Sequence, residues 1–129
     1  GGDRPRTEDA AFEHDRARAA HAFDPPTGGE RLIVDGVLGT GARGRPRAWA
    51  AEFARLAAAA RTAHGATVVA LDVPTGLDAT TGETFGDDTV RADCTLAFGT
   101  CKRGLLVARH VVGTIAVLDI GLDPRATAD

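Results

Sequence analysis

Two aspartates each close a short apolar run: Asp35 ends "RLIVD" and Asp72 sits at the end of "ATVVALDV". A glycine-rich stretch, "GVLGTGARGR", follows the first, and "VPTGLD" continues the second. Glycines let backbone N–H groups converge on an anion, and the helix that follows turns its positive end towards it, so such a stretch can cradle phosphate. The same glycines also serve a tight strand-to-helix turn that needs positive φ. A carboxylate at the end of a buried strand is costly unless hydrogen-bonded or paired with a cation. One reading has each aspartate capping its own loop through backbone N–H groups. The other joins them on one rim, beside Thr75 and loop carbonyls. Hard oxygens there could hold a cation, leaving the second carboxylate for proton transfer. Two carboxylates brought close also raise one pKa, which suits acid–base work near neutrality. Lys102 is the only lysine and lies just past a third apolar run, "ADCTLAFG". It can meet a phosphate, pair with an aspartate, or stay solvated.

Residues 39–44, "GTGARG", match the G-x-G-x-x-G pattern of dinucleotide-binding loops. The spacing argues against that use. Gly36, Val37 and Leu38 separate the strand end from Gly39, whereas the first glycine of the fingerprint directly follows the strand. An acidic residue about 20 positions on should hold a ribose, and Glu52 and Asp72 both miss that place. Asp119, in "LDIGL", reads as structural. The four histidines show no ligand spacing. Cys94 reads as a small buried hydrophobe and Cys101 as more exposed; together they fit neither C-x-x-C nor a zinc site.

These residues need elements to carry them. Thr7 to Phe23 reads as a helix capped by Thr7, with Glu8 and Asp9 at its positive end. Asp24–Glu30 is a turn cluster. Arg31–Asp35 reads as a buried strand. Arg45–His64 is the clearest helix, with Pro46 in its first turn, Gly65 as its stop, and Trp49, Phe53 and Leu56 as one apolar stripe. Ala66–Val73, Ala92–Gly99 and Thr114–Leu122 read as further strands. Pro74–Asp88 holds too much Pro, Gly, Thr and Asp for regular structure. Strand–helix–strand connections are right-handed and give parallel strands, and near-continuous apolar strands predict two covered faces. The expected class is therefore α/β: a Rossmann-like, doubly wound, mostly parallel sheet with helices on both faces, in one domain over residues 1–129. Ligands of such sheets bind beyond the carboxyl ends of the strands, which puts Asp35 and Asp72 on one rim.

With 129 residues, 43% of them hydrophobic, the chain suits a single globular domain. A net charge of −3 argues against partners that recognise bulk positive charge, so neither nucleic acid nor a membrane surface is expected. No apolar run approaches the roughly 18 residues of a membrane span, and no secretory leader is visible at the start. Two cysteines imply no disulfide framework, which points to a reducing, cytoplasmic setting.

Four blocks carry a resemblance: "LIVDGVLGTGARG", "VVALDVPTGLDATTG", "ADCTLAFGTCKRGLL" and "GTIAVLDIGL". In order and spacing, over residues 31–122, they resemble the NAD(P)H-hydrate epimerase family, the YjeF N-terminal domain. The resemblance implies an enzyme that interconverts the R and S epimers of hydrated NADH or NADPH, a repair step that feeds a dehydratase. It implies a potassium ion held by Asp35 and Thr75, where threonine replaces the usual serine. The loop Gly39, Thr40, Gly41, Ala42, Arg43, Gly44 and Arg45 would contact the phosphates of the substrate. Asp72 would meet the nicotinamide end and transfer the proton, and Lys102 would join the substrate-binding set. A homodimer is implied, as is a dehydratase domain or partner. The family also carries an N-N-G-G-D-G loop after its first core strand, and this sequence has none; its opening "GGDR" is not that loop. The domain is therefore expected to be incomplete, lacking the first strand–loop–helix, and the isolated chain is expected to have little or no epimerase activity. A non-catalytic nucleotide- or partner-binding module of the same fold is the alternative. A true oxidoreductase is a third class, for which no substrate domain is visible.

Overall fold

The computed structural model describes residues 7–19 and 29–122. The elements run α1 (Glu8–Ala19), β1 (Leu32–Asp35), α2 (Ala48–His64), β2 (Thr67–Leu71), a 3-10 turn (Gly86–Asp88), β3 (Cys94–Phe98), α3 (Arg103–Val107), α4 (Arg109–Val112) and β4 (Thr114–Leu118). Thr7 caps α1 as its side chain predicts: the Thr7 Oγ1 accepts the Ala10 N–H at 3.3 Å. The expected continuation of that helix to Phe23, and most of the turn cluster after it, lie outside the described residues.

The strands pair in the order β1-β2-β3-β4, and every pair is parallel. The α/β, Rossmann-like class is thus as expected. Right-handed connections that always step in the same direction place their helices on the same side of the sheet. The packing agrees. Ile33 and Val68 pack with Ala54, Ala57 and Ala60 of α2. Ala97 and Ile115, whose register places them on that same face, pack with Leu105 of α3 and with Val111 and Val112 of α4. On the opposite face Leu32 is 59% exposed and Val34 is 52% exposed, while Leu96 and Phe98 are half-buried. Among the described residues the sheet therefore winds one way only, and α2–α4 cover one face. The reversed winding that would carry a second layer is not among them. Cys94 lies on the open face and is half-buried rather than buried.

Helix α2 begins at Ala48, not Arg45, because Gly44 adopts φ 71° and Arg47 remains extended. Pro46 consequently precedes the helix. The stop is as expected: Gly65 sits in the left-handed region, with φ 65° and its N–H bonded to the Arg61 carbonyl at 3.0 Å. The stripe is corrected. Trp49 is 57% exposed and Leu56 half-buried; Phe53, also half-buried, packs against the core, but the fully buried face consists of Ala50, Ala51, Ala54, Ala57 and Ala60. Alanines repeat at the same helical period, and their small side chains let the helix lie close to the sheet.

Residues 72–93 join β2 to β3 with no α-helix. The loop holds itself by hydrogen bonds: Val90 N–H to Thr75 O at 2.8 Å, Asp78 N–H to Glu83 O at 3.0 Å, and Thr89 Oγ1 to Gly76 O at 3.1 Å. Val90 is fully buried beneath it. The composition of Pro74–Asp88 excluded regular structure, and one 3-10 turn is all that forms.

Candidate functional site

Parallel strands bring their carboxyl ends to one edge. Register pairs Asp35 with Ala70, and Ala70 with Thr95, so Asp35, Asp72 and the residues after Phe98 emerge on a common rim. Two separate clusters form there.

The first joins Asp35 to Thr75. Asp35 is fully buried. Its Oδ2 accepts the Thr75 N–H at 2.7 Å, and its Oδ1 accepts the Thr75 hydroxyl at 2.7 Å and the Val37 N–H at 3.2 Å. Thr75 Oγ1 in turn accepts the Leu38 N–H at 3.1 Å, which fixes the start of the glycine loop. Burial pushes the Asp35 carboxyl above the ordinary carboxylate value, while the bonds from Thr75 and Val37 pull the other way. The coupling expected between two neighbouring carboxylates is not what raises it: desolvation is the cause, and Asp72 has no part in it.

The second joins Asp72 to Lys102. Asp72 is the only non-glycine residue with positive φ among those described, at 69°. For a residue with a Cβ this conformation costs about 1–2 kcal/mol. It turns Asp72 out of the strand's alternation. Its N–H bonds the Leu96 carbonyl at 2.8 Å, and its Oδ1 accepts the Phe98 N–H at 3.1 Å and an N–H of the Lys102 ammonium. The ammonium also donates to the Phe98 carbonyl at 2.7 Å. Of the three readings open for Lys102, pairing with an aspartate is the arrangement found.

The glycine loop adjoins the first cluster through the Leu38 N–H bond to Thr75. Gly44 has positive φ, but Gly39 and Gly41 do not, and a Cβ built on either of those two would meet nothing within 4 Å. The two glycines belong to a turn closed by the Ala42 N–H on the Gly39 carbonyl at 3.3 Å, yet neither needs positive φ and neither is there for packing. Their bare backbone faces open space, as a surface that receives a ligand does. Arg43 folds back on the loop, donating to the Thr40 carbonyl at 2.9 Å and the Ala42 carbonyl at 3.0 Å, and its Nε lies 3.6 Å from Asp78. Arg45 donates to Asp88 at 2.6 Å and lies over the Phe85 ring, 5.3 Å from its centroid. Between this loop, the start of α2 and residues 76–78 lies a cavity of about 360 Å³, lined by Arg43, Arg45, Trp49, Leu77 and Asp78 among others. Asp35, Thr75, Asp72 and Lys102 do not line it, so it adjoins the loop and not the two strand-end clusters themselves.

Asp78 and Asp88 had drawn no role from the sequence. Asp78 accepts the N–H groups of Thr81 and Thr80, both at 2.8 Å, and these bonds hold its carboxyl below the ordinary value. Asp88 accepts from Arg45 and, at 2.5 Å, from Arg55 of α2; the Arg45 bond is the main cause of its lowered pKa. Only the surplus of arginines around an aspartate-rich loop hinted at these ties. Asp119 accepts the Gly121 N–H at 2.8 Å, a local turn, as its reading as structural required.

The family model for the YjeF-related protein N-terminus matches residues 5–104. The chain belongs to this family. The YjeF-related domain is 45% identical over 100 residues to the bifunctional NAD(P)H-hydrate repair enzyme Nnr of Pyrobaculum aerophilum, covering 74% of this chain and 18% of that protein. It is 43% identical over 93 residues to the NAD(P)H-hydrate epimerase of Rhodopirellula baltica, covering 70% and 36%. Against the bifunctional enzyme Nnr of Escherichia coli it is 43% identical over 94 residues, covering 71% and 17%. The domain thus spans well under half the length of these curated relatives. No helix among the described residues is long and apolar enough to cross a membrane.

Proposed function

We propose that this YjeF-related domain supplies an NAD(P)H-hydrate epimerase site, acting on hydrated NADH or NADPH. The observation that carries the reading is the shared rim, whose one edge carries a buried carboxylate–hydroxyl pair joined to a bare glycine loop and, in a separate cluster, a strained aspartate. The relatives' names supply the substrate class. The loop from Gly39 to Arg45 receives the pyrophosphate on its open amides, and Asp72 faces the nicotinamide end. At the hydroxylated ring carbon, the C–O bond breaks with its electron pair going to oxygen, which takes up a proton and leaves as water. The ring keeps a delocalised positive charge. Return of water to either face, with loss of that proton, gives either epimer. The Asp72 carboxylate stabilises the cation and carries the proton.

The donor set around Asp35 fits a potassium ion. Asp35 is buried, its hydrogen bonds come from neutral donors, and among the described residues no ion pair reaches it. A hard monovalent cation held by Asp35 and Thr75 oxygens would offset that charge. When bound, it would supply a fixed positive charge beside the phosphate loop. The reading also takes in a homodimer, a dehydratase as domain or partner, and a cytoplasmic setting, with which the two free cysteines agree.

The test follows loss of the R epimer of hydrated NADPH by chromatography, while an S-specific dehydratase removes the product. It is run on this chain and on this chain joined to the N-N-G-G-D-G segment of a relative. The joined protein is expected to consume the R epimer, and Asp72→Asn to slow it by about 10²-fold or more. A folded joined protein that leaves the R epimer untouched refutes the reading.

A further inference from the structure

We infer that Lys102 is a positioning residue: it fixes the carboxylate of Asp72 at the mouth of the site, and the K-x-G turn exists to deliver it. Asp72 stands in a left-handed conformation that its own strand does not require, since β2 ends at Leu71. Such a residue keeps its place only if its surroundings over-determine it. Three bonds do so. The backbone N–H is held by Leu96, and the carboxylate is held by the Phe98 N–H and by the Lys102 ammonium. Lys102 is itself fixed, because its ammonium also donates to the Phe98 carbonyl. Both side chains are largely withdrawn from water, at 20% and 17% exposure, so the pair is not a loose surface contact.

Apart from the bond to the Phe98 carbonyl four residues back, nothing local favours a lysine here. Lys102 is the cap residue of α3, yet it makes no side-chain cap bond, and a cation at the amino end of a helix opposes the helix dipole. A residue set against its local preference marks a role elsewhere. Its backbone is placed by Gly104. The Gly104 N–H bonds the Ala79 carbonyl at 2.7 Å, and a Cβ at Gly104 would lie 2.3 Å from the Asp78 carbonyl oxygen. Only glycine lets α3 approach the 78–79 backbone so closely. The motif therefore reads as a lever: Gly104 sets the helix start, the helix start sets Lys102, and Lys102 sets Asp72. With two of its three donors committed, Lys102 orients the aspartate and leaves the phosphates to the glycine loop.

The catalytic consequence rests on the epimerase reading, but the positioning does not, and the test separates the two. Lys102 is the sole lysine, so a sample labelled with ¹⁵N-lysine gives one side-chain ammonium signal. We expect that signal to shift in Asp72→Asn, and the ¹³Cγ signal of Asp72 to shift in Lys102→Met while remaining near its wild-type position in Lys102→Arg. In the joined protein, Lys102→Met is expected to lower kcat at least tenfold with KM changed less than threefold, and Lys102→Arg to restore most of the rate. An Asp72 signal indifferent to Lys102→Met overturns the inference. So does a raised KM with unchanged kcat, the mark of a phosphate ligand. A joined protein without activity, but with the shifts present, would sink the epimerase reading and leave the positioning intact.

Discussion

Replacing Gly104 by alanine sets two effects of opposite sign against each other. Gly104 lies within α3 at an ordinary φ, so helix propensity alone favours alanine by about 0.5–1 kcal/mol. Space forbids it. The new Cβ would stand 2.3 Å from the Asp78 carbonyl oxygen and 2.7 Å from both the carbon and the oxygen of the Ala79 carbonyl. All three are backbone atoms, which cannot rotate away. To reach the 3.0 Å limit of real Cβ contacts the chains must part by roughly 0.7 Å. Parting them strains the Gly104 N–H bond to Ala79, 2.7 Å long and buried. Overpacking costs about 1–3 kcal/mol and a weakened buried hydrogen bond about 1 kcal/mol more, so the net loss is about 2 kcal/mol after the helix gain. At the usual unfolding entropy per residue that is a fall in Tm of about 7 °C. Thermal unfolding followed by circular dichroism measures it. Gly39→Ala is the control: its Cβ enters open space at an ordinary φ, so it should change stability by less than about 0.5 kcal/mol. If Gly104→Ala melts at or above the wild-type temperature, the steric account of the K-x-G turn is wrong.

Removing the Thr75 hydroxyl takes a partner from buried Asp35 and an acceptor from Leu38. Thr75→Ala should therefore cost about 1–3 kcal/mol in denaturant titrations, and Thr75→Ser much less. Asp78 and Asp88 have lowered pKa values. Their stabilisation should be present above the ordinary carboxylate value and fade as pH falls through the lowered ones. Melting temperatures from pH 6 down to pH 2 should consequently fall more steeply for wild type than for the double variant Asp78→Asn/Asp88→Asn. Exchanging sodium for potassium at constant ionic strength should raise Tm, by an amount set by about 2.7 kcal/mol at a hundred times Kd, and Asp35→Asn should abolish the difference. Asp88→Asn should also speed amide hydrogen exchange across residues 42–47, because it loosens the Arg45 tie.

Much of this was legible in the chain. The β-branched runs and their turn signals located the strands, and parallel pairing then placed the two strand-end aspartates on one edge without further information. The stripe on α2 holds for Phe53, which packs on the core, and fails for Trp49, because alanines repeat at the same period; spacing finds faces but does not rank them. The start of α2 was missed because Arg45 is drawn off by an aspartate 43 positions away, a tertiary pull that no local rule contains. The left-handed backbone of Asp72 is likewise silent in sequence, since aspartate adopts it rarely and no glycine marks the place. Strands that look apolar throughout predicted two covered faces, whereas only the alternating burial in the structure separates the covered side from the open one.

The strand order carries a last consequence. Among the described residues each strand from β2 to β4 lies beside the one synthesised just before it, and none of the four has to be slotted between two that are already joined. Over these four strands a growing chain can therefore extend the sheet border by border in the order of translation, from β1 to β4.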